Sequence, residues 1–115
     1  MKLAWLGFPA FKHHMPAQGF ETAFVALPKP RVLDFEAVCQ EAGFVPDAVV
    51  YADRSFPPPL VGLELFPCLT CFYCVDSHIH SWYPAYVQGF DCCAVSLRDH
   101  LPWFTDALGA ARAIW

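Results

Sequence analysis

Short runs that are apolar at consecutive positions, separated by stretches rich in proline, glycine and acidic residues, set the pattern of this chain. Leu3–Phe8 (LAWLGF), Glu21–Pro28 (ETAFVALP), Pro46–Asp53 (PDAVVYAD), Cys68–Asp76 (CLTCFYCVD) and Asp91–Leu97 (DCCAVSL) read as five strands. In RVLDFEAVCQEAG, residues 31–43, Leu33, Val38, Cys39 and Ala42 fall near helical spacing and Gly43 supplies a stop. LVGLELF (60–66) suggests a short helix and SWYPAYVQGF (81–90) a longer one, while TDALGAARAIW predicts a closing helix capped at Thr105. PAFKHHMPAQGFE and RSFPPP read as a loop or irregular turn and a stiff loop.

Strands that are apolar on both faces and alternate with helices belong to parallel sheets covered on both sides. The expected fold is therefore α/β, a Rossmann-like three-layer domain with a mostly parallel sheet of about five strands, and residues 1–115 form one such domain. No internal repeat or low-complexity segment interrupts it.

Composition changes this picture in one respect. At 57% hydrophobic and 16% charged residues, the chain is unusually apolar for its length. Either much of its surface is covered by something else, or the segment is part of a larger protein. A net charge of −4 with seven scattered basic residues argues against nucleic acid as a partner. No stretch reaches the roughly 18 uninterrupted apolar residues of a membrane span. MKLAWLGFPAF is broken by Pro9 and lacks a cleavage signature, so a cytoplasmic location is expected, with the six cysteines as reduced thiols.

The cysteines raise the question of a metal centre. Cys68, Cys71 and Cys74 are spaced by two residues and followed by His78, which resembles the ligand spacing of a cluster or zinc site. A strand over these residues would send Cys68 and Cys74 to one face and Cys71 to the other. The intervening Leu, Thr, Phe and Tyr favour that strand, so the expectation is no metal site and buried cysteines acting as small hydrophobes. The adjacent Cys92 and Cys93 are read in the same way.

Candidate chemistry collects where the strands end. Asp76, His78 and His80 follow the fourth strand and could supply a general base or bind a hydroxylated ligand. Asp53, Arg54 and Ser55 follow the third, and His13 and His14 follow the first, so these are candidate substrate-binding residues. In open parallel sheets this edge is where ligands bind. Arg98, Asp99 and His100 after the fifth strand read instead as a solvated helix start, and Trp82, Tyr83 and Tyr86 as packing against the sheet. No dinucleotide fingerprint and no phosphate-binding P-loop motif is present.

The run DAVVYADRSFPPPLVGLELFPCLTCFYCVDSHIHSWYPAYVQGFDCCAVSLRDHLPWF, residues 47–104, resembles the amino-terminal half of bacterial glycosyltransferases of the GT-B architecture, closest to the spore-maturation (CgeB-like) family-1 group. The resemblance implies an acceptor-side domain that moves a sugar from a nucleotide-sugar donor to an acceptor hydroxyl, without a cofactor. Asp53, Arg54, Asp76, His78 and His80 would then face the cleft, with Asp76 or one of the two histidines as the base. It also implies that donor and acceptor are engaged together with a second, carboxy-terminal domain, this chain being the amino-terminal half. Two other readings stay open. One is a non-catalytic binding or assembly module, with homo-oligomer contacts through exposed apolar surface. The other, weaker, is a metalloprotein using Cys68, Cys71, Cys74 and His78.

Overall fold

Two adjacent parallel strands cannot be joined by a tight turn, so each connection must travel back across one face of the sheet. In the computed structural model, which describes residues 1–115, this constraint applies five times. The strands β1 (Lys2–Gly7), β2 (Glu21–Val25), β3 (Ala48–Ala52), β4 (Leu69–Cys74), β5 (Cys92–Val95) and β6 (Ala113–Ile114) form one sheet in the order β2-β1-β3-β4-β5-β6. Every neighbouring pair is parallel. The protein is thus a Rossmann-like α/β domain.

Only the step from β1 to β2 runs toward one edge; the others run toward the opposite edge. Crossovers of one hand then place the first connection on one face and the remaining four on the other. The packing follows this rule. Helices α1 (Phe35–Ala42), α2 (Tyr83–Tyr86) and α3 (Leu101–Leu108) bury Val38, Tyr83, Phe104 and Leu108 against Leu6, Val49, Tyr51, Phe72, Cys93 and Val95 on one face. On the other face Leu3, Trp5, Ala48 and Ala52 are covered by Met15 and Phe20 of the irregular 8–20 segment. Phe11 adds an edge-on contact to the Trp5 ring at 6.1 Å. The second face is therefore clothed mainly over β1 and its neighbours. Toward β5 it holds an apolar cavity of about 460 Å³ bordered by Val50, Cys71, Tyr73, Ala94 and Trp115.

Local signals account for most element ends. Asp34 caps α1, its side chain accepting from the Ala37 N–H at 2.9 Å, and Gly43 ends the helix at φ 77°. The Pro-rich loop is held by the Leu33 N–H donating to the Pro59 carbonyl at 2.7 Å, next to a parallel bridge between Leu33 and Leu60. LVGLELF contains one 3-10 turn, Leu63–Leu65, and the 81–90 segment divides into α2 and a 3-10 turn at Val87–Gly89.

The carboxy-terminal expectation is corrected. The last helix starts at Leu101, with proline in its first turn, and Thr105 lies inside it with its hydroxyl donating to the Pro102 carbonyl. Proline at a helix start loses no hydrogen bond, so Pro102 outcompetes Thr105 as the starting signal. Gly109 then stops the helix at φ 98°, and residues 113–114 add a sixth strand to β5. Arg112 fixes this return by donating to the carbonyls of Phe90 and Asp91 at 2.6 and 2.7 Å.

Gly7, the last residue of β1, has φ 93°, and a Cβ there would lie 2.1 Å from the Ala52 carbonyl oxygen. Gly43 has a similar φ of 77° but nothing within 4 Å. Gly43→Ala should therefore cost about 1 kcal/mol, the left-handed backbone alone. Gly7→Ala should cost clearly more, roughly 3 kcal/mol, because β1 and β3 must also separate. Urea unfolding of the two variants checks the difference; equal costs would contradict the close approach.

Candidate functional site

The carboxy-terminal ends of β3, β4 and β5 deliver their polar residues to one edge of the sheet. Asp53, directly after β3, is 4% exposed, so its carboxylate must find partners inside the protein. It finds two: Oδ2 accepts from the Tyr83 hydroxyl at 2.6 Å, and Oδ1 accepts from the Ser55 N–H at 2.8 Å. Burial first, and then the Asp53 carboxylate, push the Tyr83 phenol well above its ordinary value, so Tyr83 stays a donor. The Asp53 turn carries Ser55 in the left-handed region at φ 58°, an unfavourable conformation for a non-glycine residue.

The Ser55 carbonyl in turn meets His80 Nε2 at 3.1 Å. A carbonyl can only accept, so Nε2 carries the proton and the neutral ring keeps Nδ1 as its acceptor. His80 is stacked on Trp82, with ring centres 5.0 Å apart and planes 21° from parallel, and meets Tyr83 edge-on at 5.3 Å. Two cavities of about 490 Å³ each share His80 as a wall. One is bounded by Ser55, Pro57, Pro58, Trp82 and Tyr86, the other by Ser77, His78, Ser81 and Trp103.

Residues 76–79 form a turn closed by the Ile79 N–H donating to the Asp76 carbonyl at 3.0 Å. It buries Ser77 and exposes Asp76 and His78. Ser77 Oγ lies 2.8 Å from Nδ1 of His100, whose ring stacks on Trp103 at 4.2 Å. His78 stands 6.5 Å from His100 between ring centres.

The sequence-derived candidates therefore separate into groups. His80, Ser55 and His78 border the paired cavities, and Asp53 lies behind them with both carboxylate oxygens engaged within the fold. Asp76 is exposed on the turn and borders neither cavity. Arg54 turns away to a crevice at the ends of β1 and β2, and His13 and His14 are exposed on the 8–20 segment without bordering a cavity. His100, read with Arg98 and Asp99 as a solvated helix start, is instead half-buried between Ser77 and Trp103, though it borders neither cavity. The usable signal was the His100–Trp103 spacing of three, which places both rings on one helical side.

The cysteines obey strand alternation. Cys74 is in the helix-covered core and Cys68 packs against it, while Cys71 borders the cavity on the opposite face, so the three thiols do not converge. Cys71 pairs in register with Cys92, and burial, then its Cys92 neighbour, push Cys71 up to about 12. All six cysteines are free.

A comparison with protein-family models, with curated proteins and with solved structures finds no match for this chain. No helix is long and apolar enough to cross a membrane.

Tyr83→Phe would leave one oxygen of the buried Asp53 carboxylate without a donor, at an expected cost of about 1–3 kcal/mol. Asp53→Ala would remove the acceptor, so a double-mutant cycle on the pair should give a coupling of about 1 kcal/mol or more. Denaturant unfolding of the three variants measures it. Additive costs would mean the contact does not form in solution.

Proposed function

We propose that this domain is the acceptor side of a bacterial, cytoplasmic glycosyltransferase, with His80 as the base that removes a proton from an acceptor hydroxyl. The observation that carries the reading is His80 itself. Its Nε2 is committed to the Ser55 carbonyl, it is braced by Trp82, and it borders both cavities at the ligand-binding edge of the sheet. Flat aromatic and proline surfaces with a few hydroxyls suit a hydroxylated ring. Trp82, Tyr86 and Trp103 supply the flat surfaces, and Ser55 and Ser81 the hydroxyls.

In the proposed step His80 Nδ1 accepts the hydroxyl proton as the acceptor oxygen bonds to the anomeric carbon. The bond from that carbon to the nucleotide diphosphate breaks, and the diphosphate leaves with the electron pair. Asp53 and Tyr83 position Ser55 and through it the imidazole. His78 stands at the cavity rim, where it can contact the acceptor. The donor would be held chiefly by a second domain, as the resemblance to GT-B enzymes implies.

An assembly module is the second reading, and the apolar face bordered by Val50, Tyr73 and Trp115 favours it. The two readings diverge under substitution. In the protein that carries this domain, His80→Ala should lower kcat/KM for sugar transfer by about 10²-fold or more, with folding unchanged by circular dichroism. Unaltered transfer by His80→Ala would reject the base. Under the assembly reading His78→Ala and His80→Ala are silent, while Tyr73→Glu disrupts the oligomer seen by sedimentation.

A further inference from the structure

The step from β1 to β2 and the return to β3 on the other side of β1 make the gap between β1 and β3 the topological switch point of the sheet, the place where open α/β sheets receive ligands. A crevice of about 310 Å³ lies beside it, bordered by Gly7, Lys12, Phe24, Leu27 and Arg54 among others. It is distinct from the two cavities that share His80.

The charge in this crevice is unusual for the molecule. The chain has 11 acidic and seven basic side chains, yet two of the basic ones border this crevice and no acidic one does. Neither is neutralised elsewhere, since the one salt bridge of the protein joins Arg31 and Glu41. Both cations are placed by packing. Lys12 Nζ sits 5.6 Å from the centre of the Phe24 ring, and the Arg54 guanidinium 5.9 Å from that of Phe56. The Arg54 stem lies along Gly7, with Cγ 3.2 Å from where a glycine Cβ would be. Phe24, Val25 and Leu27 give the crevice apolar walls, which strengthen the attraction of a guest charge.

We propose that this crevice binds a phosphoryl group, with Lys12 and Arg54 as its two counter-charges. A point ammonium and a forked guanidinium are the pair that a multiply charged tetrahedral oxyanion uses best, and the volume leaves room for a small group attached to it. A phosphorylated acceptor and a nucleoside diphosphate share this chemistry. The proposal does not depend on the assignment of His80.

The test is a titration of the 115-residue chain with inorganic phosphate and pyrophosphate at low ionic strength, followed by amide chemical shifts. Expected are saturable shifts centred on Gly7, Lys12, Ala26 and Arg54. Lys12→Met and Arg54→Met should each weaken binding by about tenfold. Both positions are exposed, so the fold should survive, and circular dichroism verifies it. Lys29→Met and His80→Ala should bind as the unmodified chain does. Saturable binding of a sugar monophosphate or a nucleoside diphosphate with the same residue dependence would support the site and show which source it prefers. Shifts that do not saturate, an unchanged affinity in Lys12→Met and Arg54→Met, or acetate binding as tightly as phosphate would overturn the assignment. Loss of phosphate binding in His80→Ala would also overturn it, because it would move the site to the histidine cavities.

Discussion

A carboxylate almost wholly removed from water at the end of β3 is the constraint on which the site depends. Asp53 can be buried there only by accepting real hydrogen bonds, and its two partners come from different parts of the chain. Tyr83 ties the exit of β3 to α2, thirty residues later, and the Ser55 N–H bends the chain immediately after the strand. That bend presents the Ser55 carbonyl to His80, whose ring is then fixed between a hydrogen bond and a stacking contact. One buried carboxyl group thus orders a strand end, a strained turn, a helix and an imidazole. The cost of burying it is offset by geometry that a solvated loop would not hold.

The same parallel topology divides the molecule chemically. Because four of the five connections cross one face, that face receives all three helices and the large aromatic core around Phe72. The opposite face receives a single irregular segment, and Trp5, Phe11 and Tyr73 meet there as a small aromatic cluster. Polar chemistry is left to the strand ends. There the reversal of strand order separates a basic crevice beside β1 from the histidine cavities beyond β4. The high apolar content inferred from composition is thereby explained in part by residues such as Val50, Ala94 and Trp115, which border an open apolar cavity.

Much of the fold was legible because parallel strands announce themselves by unbroken apolar runs. Five strands, the Gly43 stop and the opposite facing of Cys71 relative to Cys68 and Cys74 all follow from period and propensity. The sixth strand was not legible. Ala113 and Ile114 are two residues in a segment of good helix formers, and their strand state comes from pairing with Cys93 and Ala94 rather than from local preference. The start of α3 was misplaced because Thr105 is a strong cap in isolation, whereas Pro102 and the chain direction leaving β5 decide the matter. At the site, position after a strand was enough to place Asp53, Ser55, His78 and His80 near one edge of the sheet, but not to say which of them border a cavity. It could not divide Asp53 from Arg54, adjacent residues of which one is buried under Tyr83 and the other exposed on a separate crevice. Nor could it pair Ser77 with His100, a contact made only when β5 lies beside β4.

The central claim is that the fold fixes one imidazole in one protonation pattern, with Nδ1 of His80 free to accept. Long-range ¹H–¹⁵N correlation of the histidine side chains, at a pH where His80 is neutral, measures this directly. The account predicts the Nε2–H form for His80, and a mixture of both tautomers for the exposed His13 and His14. An Nδ1–H form at His80, or averaging like that of the exposed rings, would mean that the Ser55 contact does not hold it. The base assignment and the chain of contacts leading back to Asp53 would then fall together.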